Sequence, residues 1–406
     1  MRPRSNPLPK LRIAAAVIAL LVLIGAGLNW RFVNRYVSYL WLGGNPLTTP
    51  VSWFDPTVEL DITEADPLPA ARRHTIPPQA LEQAAAYALE QNSLGLLVAR
   101  NGQIEFERYW NGFSRDDRFN PQSMSKTVLG MLVGIAIDEG TIDSVDAPIN
   151  RWLDEWDDDP RGRISIKNLL QMSAGLAQIS TDYRPVPWSK GVLQHFGTDF
   201  DRWTLGLPLN DAPGSRWEYN NNESNLLGLV LEQATGMTYP DFLSLRLWQP
   251  MGLGPAAMYQ DKPGGHVMKS CCLLSRPLDW LALGQLMLNR GRWNDSQVLP
   301  AAWVDAMLRP ADTNPGYGYQ VWLGNGSLWH VGNHPGPDVY TWWGSEPYVA
   351  DDLFAFLGHG YQNVWVIPSQ QLVIVRVARS WPPNTWDVSR IPNLITNALL
   401  EKTTSQ

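Results

Sequence analysis

Apolar and polar positions divide this chain into a helical middle and a strand-rich end. Ala80 to Gln91 reads as a helix, and two candidate strands, Leu94 to Arg100 and Gln103 to Trp110, flank Asn101-Gly102. That dipeptide suits a two-residue hairpin turn, so a helix and a hairpin are predicted to open the body of the protein. The run Thr127 to Ile137, closed by Glu139-Gly140, is apolar enough for a central helix. A short helix stopped by glycine is predicted between Ile164 and Gly175, with further helices at Leu226 to Thr235, Tyr239 to Leu247 and Leu278 to Asn289. After Gly316 strands are predicted at Tyr317 to Leu323, Leu353 to Leu357, Asn363 to Ile367 and Leu372 to Ala378, followed by a last helix from about Ile391 to Glu401. A lone hairpin cannot bury a face, so the early and late strands are expected to share one antiparallel sheet. No internal repeat or low-complexity tract interrupts this plan.

The N-terminus follows other rules. Arg2, Arg4, Lys10 and Arg12 precede Ile13 to Leu28, which carries no charge, and Trp30, Phe32, Tyr36, Tyr39 and Trp41 then alternate with Arg31 and Arg35. A basic flank before an apolar run predicts a cytoplasmic N-terminus, and the aromatic positions resemble an interfacial belt. Residues 1–42 are therefore expected to be a retained single-pass anchor in the inner membrane, with the rest of the chain in the periplasm or outside the cell. The alternative is a signal peptide cleaved near Gly25-Ala26-Gly27. Residues 43–79 carry Pro46, Pro50, Pro56, Pro67, Pro69, Pro77 and Pro78. They read as an extended tether, which leaves residues 80–402 as the functional domain.

Composition narrows the class. With 406 residues, 44% of them hydrophobic, the chain can bury a sizeable core. The formal net charge is −7, and no basic cluster follows the first few residues, so nucleic acid is not an expected partner. The two cysteines, Cys271 and Cys272, are adjacent, closer than an ordinary disulfide tolerates, and stability is not expected to rest on a disulfide. The 20 tryptophans suit either core and rim filling or aromatic walls for a ligand.

The chemistry centres on Phe119-Asn120-Pro121-Gln122-Ser123-Met124-Ser125-Lys126, directly before the central helix. With Ser123 in the first turn, Lys126 lies on the same helical face within reach of the hydroxyl. A serine hydroxyl needs a base, and a lysine serves only if burial depresses its pKa. This Ser-x-x-Lys quartet is the only one in the chain. Tyr219-Asn220-Asn221 offers the remaining functions, a phenol to relay protons, more readily ionised near an ammonium, and an Asn221 amide to orient Lys126. Tyr109-Trp110-Asn111 and Tyr361-Gln362-Asn363 repeat that spacing but read as ordinary strand and turn.

Taken in order, Ser123 to Lys126, Pro213-Gly214-Ser215 with Tyr219-x-Asn221, and Leu247-Trp248-Gln249-Pro250-Met251-Gly252-Leu253 resemble the serine hydrolases related to class C β-lactamases. Phe356-Leu357-Gly358-His359-Gly360-Tyr361-Gln362 is most similar to the 6-aminohexanoate-dimer hydrolase branch. The resemblance spans roughly Ala80 to Leu400. It implies an α/β (α+β) β-lactamase/transpeptidase-like fold, an antiparallel sheet flanked by helices plus a mainly helical part, with the cleft between them. It also implies that Ser123 is acylated, that Lys126 is its base, and that Tyr219 and Asn221 complete the proton network. The family's third box, Lys-Thr-Gly or His-Thr-Gly, is absent, and Gly358-His359-Gly360 stands near its place. His359 is thus a candidate backbone oxyanion donor or pocket wall, with Phe356 as the competing register and an ordinary turn as the alternative.

The combined expectation is an exported, membrane-associated serine hydrolase that cleaves a small-molecule ester or amide without metal or cofactor. A catalytically silent penicillin-binding or sensor protein of the same fold is the alternative. Loss of the basic box disfavours a carboxylate-bearing β-lactam, the competing expectation being that an arginine on the last strand, Arg376 or Arg379, supplies the cation.

Overall fold

The computed structural model describes residues 27, 29–62, 68–179, 188–324, 329–330, 341–342, 344–380, 382 and 386–404. Its first helix, α1 (Trp30–Trp41), docks on the protein through one face. Tyr36 and Tyr39 pack on Phe196 with ring centroids 5.4 and 5.1 Å apart. The buried Arg35 guanidinium donates to the backbone carbonyls of Asp55, Gly197 and Gln260. Three of the five aromatic positions assigned to a membrane interface, Phe32, Tyr36 and Tyr39, therefore face protein. Among the described residues no helix is long and apolar enough to cross a membrane. This corrects the expected single-pass inner-membrane location, and a membrane partner through this segment loses its support. The run Ile13 to Leu28 itself lies outside the described residues, apart from Gly27.

The described part of the proline-rich stretch is packed on the body. Leu47, Phe54, Leu60, Leu68 and Ile76 are buried, and β1 (Thr57–Glu59) pairs antiparallel with a later strand. Proline supplies no N–H and holds φ near its extended value, so this part gains burial with only a single 3₁₀ turn, Val51–Trp53, of helix before Pro78.

After α2 (Pro78–Glu90), Asn101 and Gly102 take φ of +51° and +74° and turn β2 (Ser93–Arg100) into β3 (Gln103–Tyr109). The central helix α3 (Ser125–Asp138) and α4 (Asn221–Thr235) form the helical part with shorter helices between them. Then come β4 (Ala257–Tyr259), β5 (Leu273–Leu274) and α5 (Pro277–Leu288). The chain ends in β6 (Trp322–Leu323), β7 (Phe354–Gly358), β8 (Gln362–Ile367), β9 (Leu372–Ala378) and α6 (Arg390–Thr404).

Early and late strands join one antiparallel sheet in the order β3-β2-β9-β8-β7-β6. Alternation along β9 divides the two faces. Leu372 and Ile374 enter a core with Leu81, Ala84, Ile391 and Ile395 of α2 and α6. Val373, Val375 and Val377 enter the larger core with Leu281, Leu283 and the α3 residues Leu129 and Leu132. Helices cover both faces, which explains why β8 and β9 read as unbroken apolar runs rather than alternating ones.

Three local expectations change. Of Tyr317 to Leu323, only Trp322 and Leu323 are strand. The chain turns at Gln320, with φ +57°, and the Gln320 amide donates to the Leu169 and Leu170 carbonyls, holding the turn on the helical part. The helix from Tyr239 is α-helical only to Leu243 and continues as a π-helical turn over Ser244–Trp248. Cys271 and Cys272 form a disulfide across Cα atoms 3.7 Å apart. The backbone makes room for it, since Cys272 has φ +72°, a region non-glycine residues seldom adopt.

Candidate active site

Asn120-Pro121 stops the chain before α3, and the Asn120 carboxamide oxygen accepts a hydrogen bond from Gln122 N at 2.9 Å. Gln122 sits at φ +55° and starts a 3₁₀ turn over Gln122–Met124 that holds Ser123 immediately before α3. The helix carries Lys126 one turn on. The ammonium donates to Ser123 Oγ at 2.9 Å and to the backbone carbonyl of Ser270 at 2.8 Å. Lys126 is only 2% exposed, and burial pushes its pKa down to about 7. Neither bond is to a carboxylate. The ammonium is consequently disfavoured to the point where a neutral amine is populated near neutrality.

Tyr219 completes the other wall. Its ring lies 5.1 Å below the Lys126 ammonium, a cation–π distance, and its phenol is hydrogen-bonded to Ser123. The ring packs against Trp322 and Tyr317, with centroids 5.7 and 6.5 Å away. Burial pushes the Tyr219 phenol up, and the bond to Ser123 offsets this only in part. The easier ionisation expected beside Lys126 is therefore reversed. Desolvation outweighs the neighbouring cation, and the phenol stays protonated as a donor.

Asn221 is the first residue of α4 and is half-buried. The second acceptor on Lys126 is the Ser270 carbonyl, and no Asn221 bond to Lys126 is present among the described residues. The neighbouring Asn220 caps α4 by accepting from Asn222 N and donating to the Leu176 carbonyl.

His359 lies in the turn between β7 and β8, half-buried, with its pKa pushed down to about 4 by burial, so the imidazole is neutral. The preceding Gly358 lies against the turn that carries Ser123, since a Cβ there would sit 2.2 Å from the Pro121 carbonyl oxygen. Only glycine permits that approach. Arg376, fully buried with its pKa lowered to about 9 by burial, donates to the Gly360 and Tyr361 carbonyls and holds this turn. Phe356 is buried in the core within β7.

The Beta-lactamase family matches residues 80–395. The chain belongs to this family. It is 26% identical over 307 residues to the 6-aminohexanoate-dimer hydrolase of Paenarthrobacter ureafaciens, covering 71% of this chain and 73% of that one. It is 28% identical over 186 residues to Esterase EstB of Burkholderia gladioli, covering 41% of this chain and 47% of that one. Among solved structures, a Bacillus anthracis protein assigned as a 6-aminohexanoate-dimer hydrolase superposes with a TM-score of 0.65 at 18% identity, over 88% of this chain and 93% of that one. The fold is thus β-lactamase/transpeptidase-like, as the resemblance implied. The protein is a β-lactamase-fold hydrolase related to 6-aminohexanoate-dimer hydrolase and esterases.

Within that fold, the residues missed from the sequence contribute through their backbone or hold one that does. The Ser270 peptide supplies the Lys126 acceptor, and the Asn225 side chain accepts from Ser270 N at 2.9 Å. A carbonyl leaves no residue-type signature, although a polar Asn225 on the buried face of α4 is a signal in retrospect. Glu223, buried beside it, accepts from Ala174 N at 3.1 Å and fixes the loop that approaches Asn220. Desolvation pushes its carboxyl well up. A second polar cluster, Asp201, Glu232 and His266, has the spacing of a cation site. Its charge is met by Lys269, whose ammonium lies 3.2 Å from Asp201 and 3.0 Å from Glu232.

Proposed function

We propose that the protein hydrolyses small ester or amide substrates through an acyl-Ser123 intermediate. The observation that carries this reading is the buried Lys126 ammonium, 2.9 Å from Ser123 Oγ, with a pKa lowered to about 7. In its neutral form Lys126 accepts the Ser123 proton while Oγ attacks the substrate carbonyl. The protonated Tyr219 phenol donates to the leaving group and regains a proton from Lys126. The backbone N–H of Ser123 and that of the His359 segment receive the oxyanion. Water then cleaves the acyl-enzyme through the same groups in reverse. The 6-aminohexanoate-dimer hydrolase and esterase relatives support an amide or ester as substrate.

The substrate is neutral or weakly charged where a β-lactam would place its carboxylate. Arg376 is fully buried and spent on the carbonyls of Gln91, Gly360 and Tyr361, and the His359 imidazole is uncharged. A charge-assisted bond of the missing kind is worth about 1.5–3 kcal/mol, which is on the order of tenfold to a hundredfold in affinity. Short-chain p-nitrophenyl esters and small linear amides are therefore expected to exceed nitrocefin in kcat/KM. A preference for nitrocefin overturns the substrate class. Covalent labelling by a fluorophosphonate that persists in Ser123→Ala overturns the nucleophile.

A further inference from the structure

Both arms of the Ser123–Lys126 pair lead to the same two residues. On the lysine side, the acceptor for the Lys126 ammonium is the carbonyl of Ser270, the residue bonded to Cys271. On the serine side, the Asn120 amide that caps Gln122 N also donates to Cys272 Sγ at 3.8 Å. Just beyond, Leu273 N donates to Ser125 Oγ at 3.4 Å. The Cys271–Cys272 disulfide closes a small ring through their shared peptide and holds Cys272 at φ +72°, where a side-chain-bearing residue is strained. Cys272 is 1% exposed, whereas Cys271 is half-buried and offers a sulfur to a thiol reagent.

We propose that Cys271–Cys272 is a reversible thiol–disulfide site, addressed by a dithiol reductant, that sets the activity of the Ser123–Lys126 centre. This rests on the reading of that pair as catalytic. The thiolate of the dithiol attacks Cys271 Sγ, breaks the sulfur–sulfur bond and leaves Cys272 as a thiolate that takes a proton. The second thiol of the reductant then attacks its own sulfur in the mixed disulfide and releases Cys271 as a thiol. The reductant leaves as a disulfide, and the protein has gained the two electrons and two protons it lost. Opening the ring frees Cys272 from positive φ. The Ser270 carbonyl then shifts away from Lys126, and Asn120 loses its sulfur partner. The oxidised protein is the active form and the dithiol protein the attenuated one.

The test follows fluorophosphonate labelling of the full-length protein before and after dithiothreitol, with iodoacetamide trapping and mass spectrometry to count free thiols. On reduction the maximal labelling rate is expected to fall about tenfold, while the half-saturating probe concentration stays within about twofold, because the base moves and the pocket does not. Reoxidation should restore the rate. Cys271→Ser/Cys272→Ser should label at the reduced rate and ignore dithiothreitol. An unchanged rate in protein with both thiols trapped overturns the proposal, as does finding two free thiols in untreated active protein. The wild-type measurement needs no variant to fold. Labelling retained in Ser123→Ala would instead remove the catalytic reading, so the two failures are told apart.

Discussion

Two lysines are buried to nearly the same depth in this protein and meet opposite surroundings. Lys126 is 2% exposed and Lys269 is 0% exposed; the Lys126 ammonium donates to the Ser270 carbonyl, and Lys269 directly precedes Ser270 in the chain. Lys269 meets two carboxylates, Asp201 at 3.2 Å and Glu232 at 3.0 Å. Lys126 meets a hydroxyl, a carbonyl and the face of a phenol. Depth alone therefore does not make a base. A buried cation with acidic partners is part of a structural ion network, whereas one offered only neutral acceptors bears its desolvation and gives up its proton.

The largest test of that contrast is Lys126→Met. Loss of the base is expected to lower kcat/KM on the order of 10⁴-fold, while the midpoint of urea unfolding is held or rises, since no carboxylate is left behind. Lys269→Met should do the reverse. It leaves Asp201 and Glu232 buried without their cation, and a loss of about 3–5 kcal/mol in urea unfolding is expected. Equal stability losses in the two variants would break the comparison.

Tyr219→Phe removes the protonated phenol and should lower kcat/KM by about 10²-fold. The wild-type profile of kcat/KM should rise as pH passes through about 7, because Lys126 is an acceptor only after it loses its proton. A profile flat between the carboxylate range and alkaline pH would place the base elsewhere. The smallest effect concerns His266, whose pKa is raised chiefly by its hydrogen bond to Asp201. A raised folded pKa stabilises the protein fully below the ordinary histidine value and loses that contribution as pH rises through the raised one. His266 is half-exposed, so His266→Ala should cost under about 1 kcal/mol. That difference should shrink as pH rises past the His266 titration.

The features legible in the sequence are those made within one turn or one hairpin. The Ser123–Lys126 spacing spans three residues, so forming the helix is enough to bring the two side chains together. Asn101-Gly102 likewise dictates its turn whatever packs around it. The aromatic positions of α1 were misread because apolar periodicity states that a face will be covered without stating by what. Here Phe196 covers Tyr36 and Tyr39. The adjacent cysteines were misread because ordinary disulfide spacing presumes ordinary φ, and Cys272 does not have it.

By itself the sequence determined the helix that carries Lys126, the serine one turn before it, the hairpin and the strands of the sheet other than most of Tyr317 to Leu323, because each depends on spacing along a short piece of chain. Only the tertiary structure decided that the lysine would be buried with its pKa lowered to about 7. That property needs the Ser270 carbonyl, 144 residues away, the Tyr219 ring beneath the ammonium and an absence of carboxylates among its hydrogen-bond partners. Burial and partner charge are sums over neighbours that the fold assembles, and no local pattern encodes them.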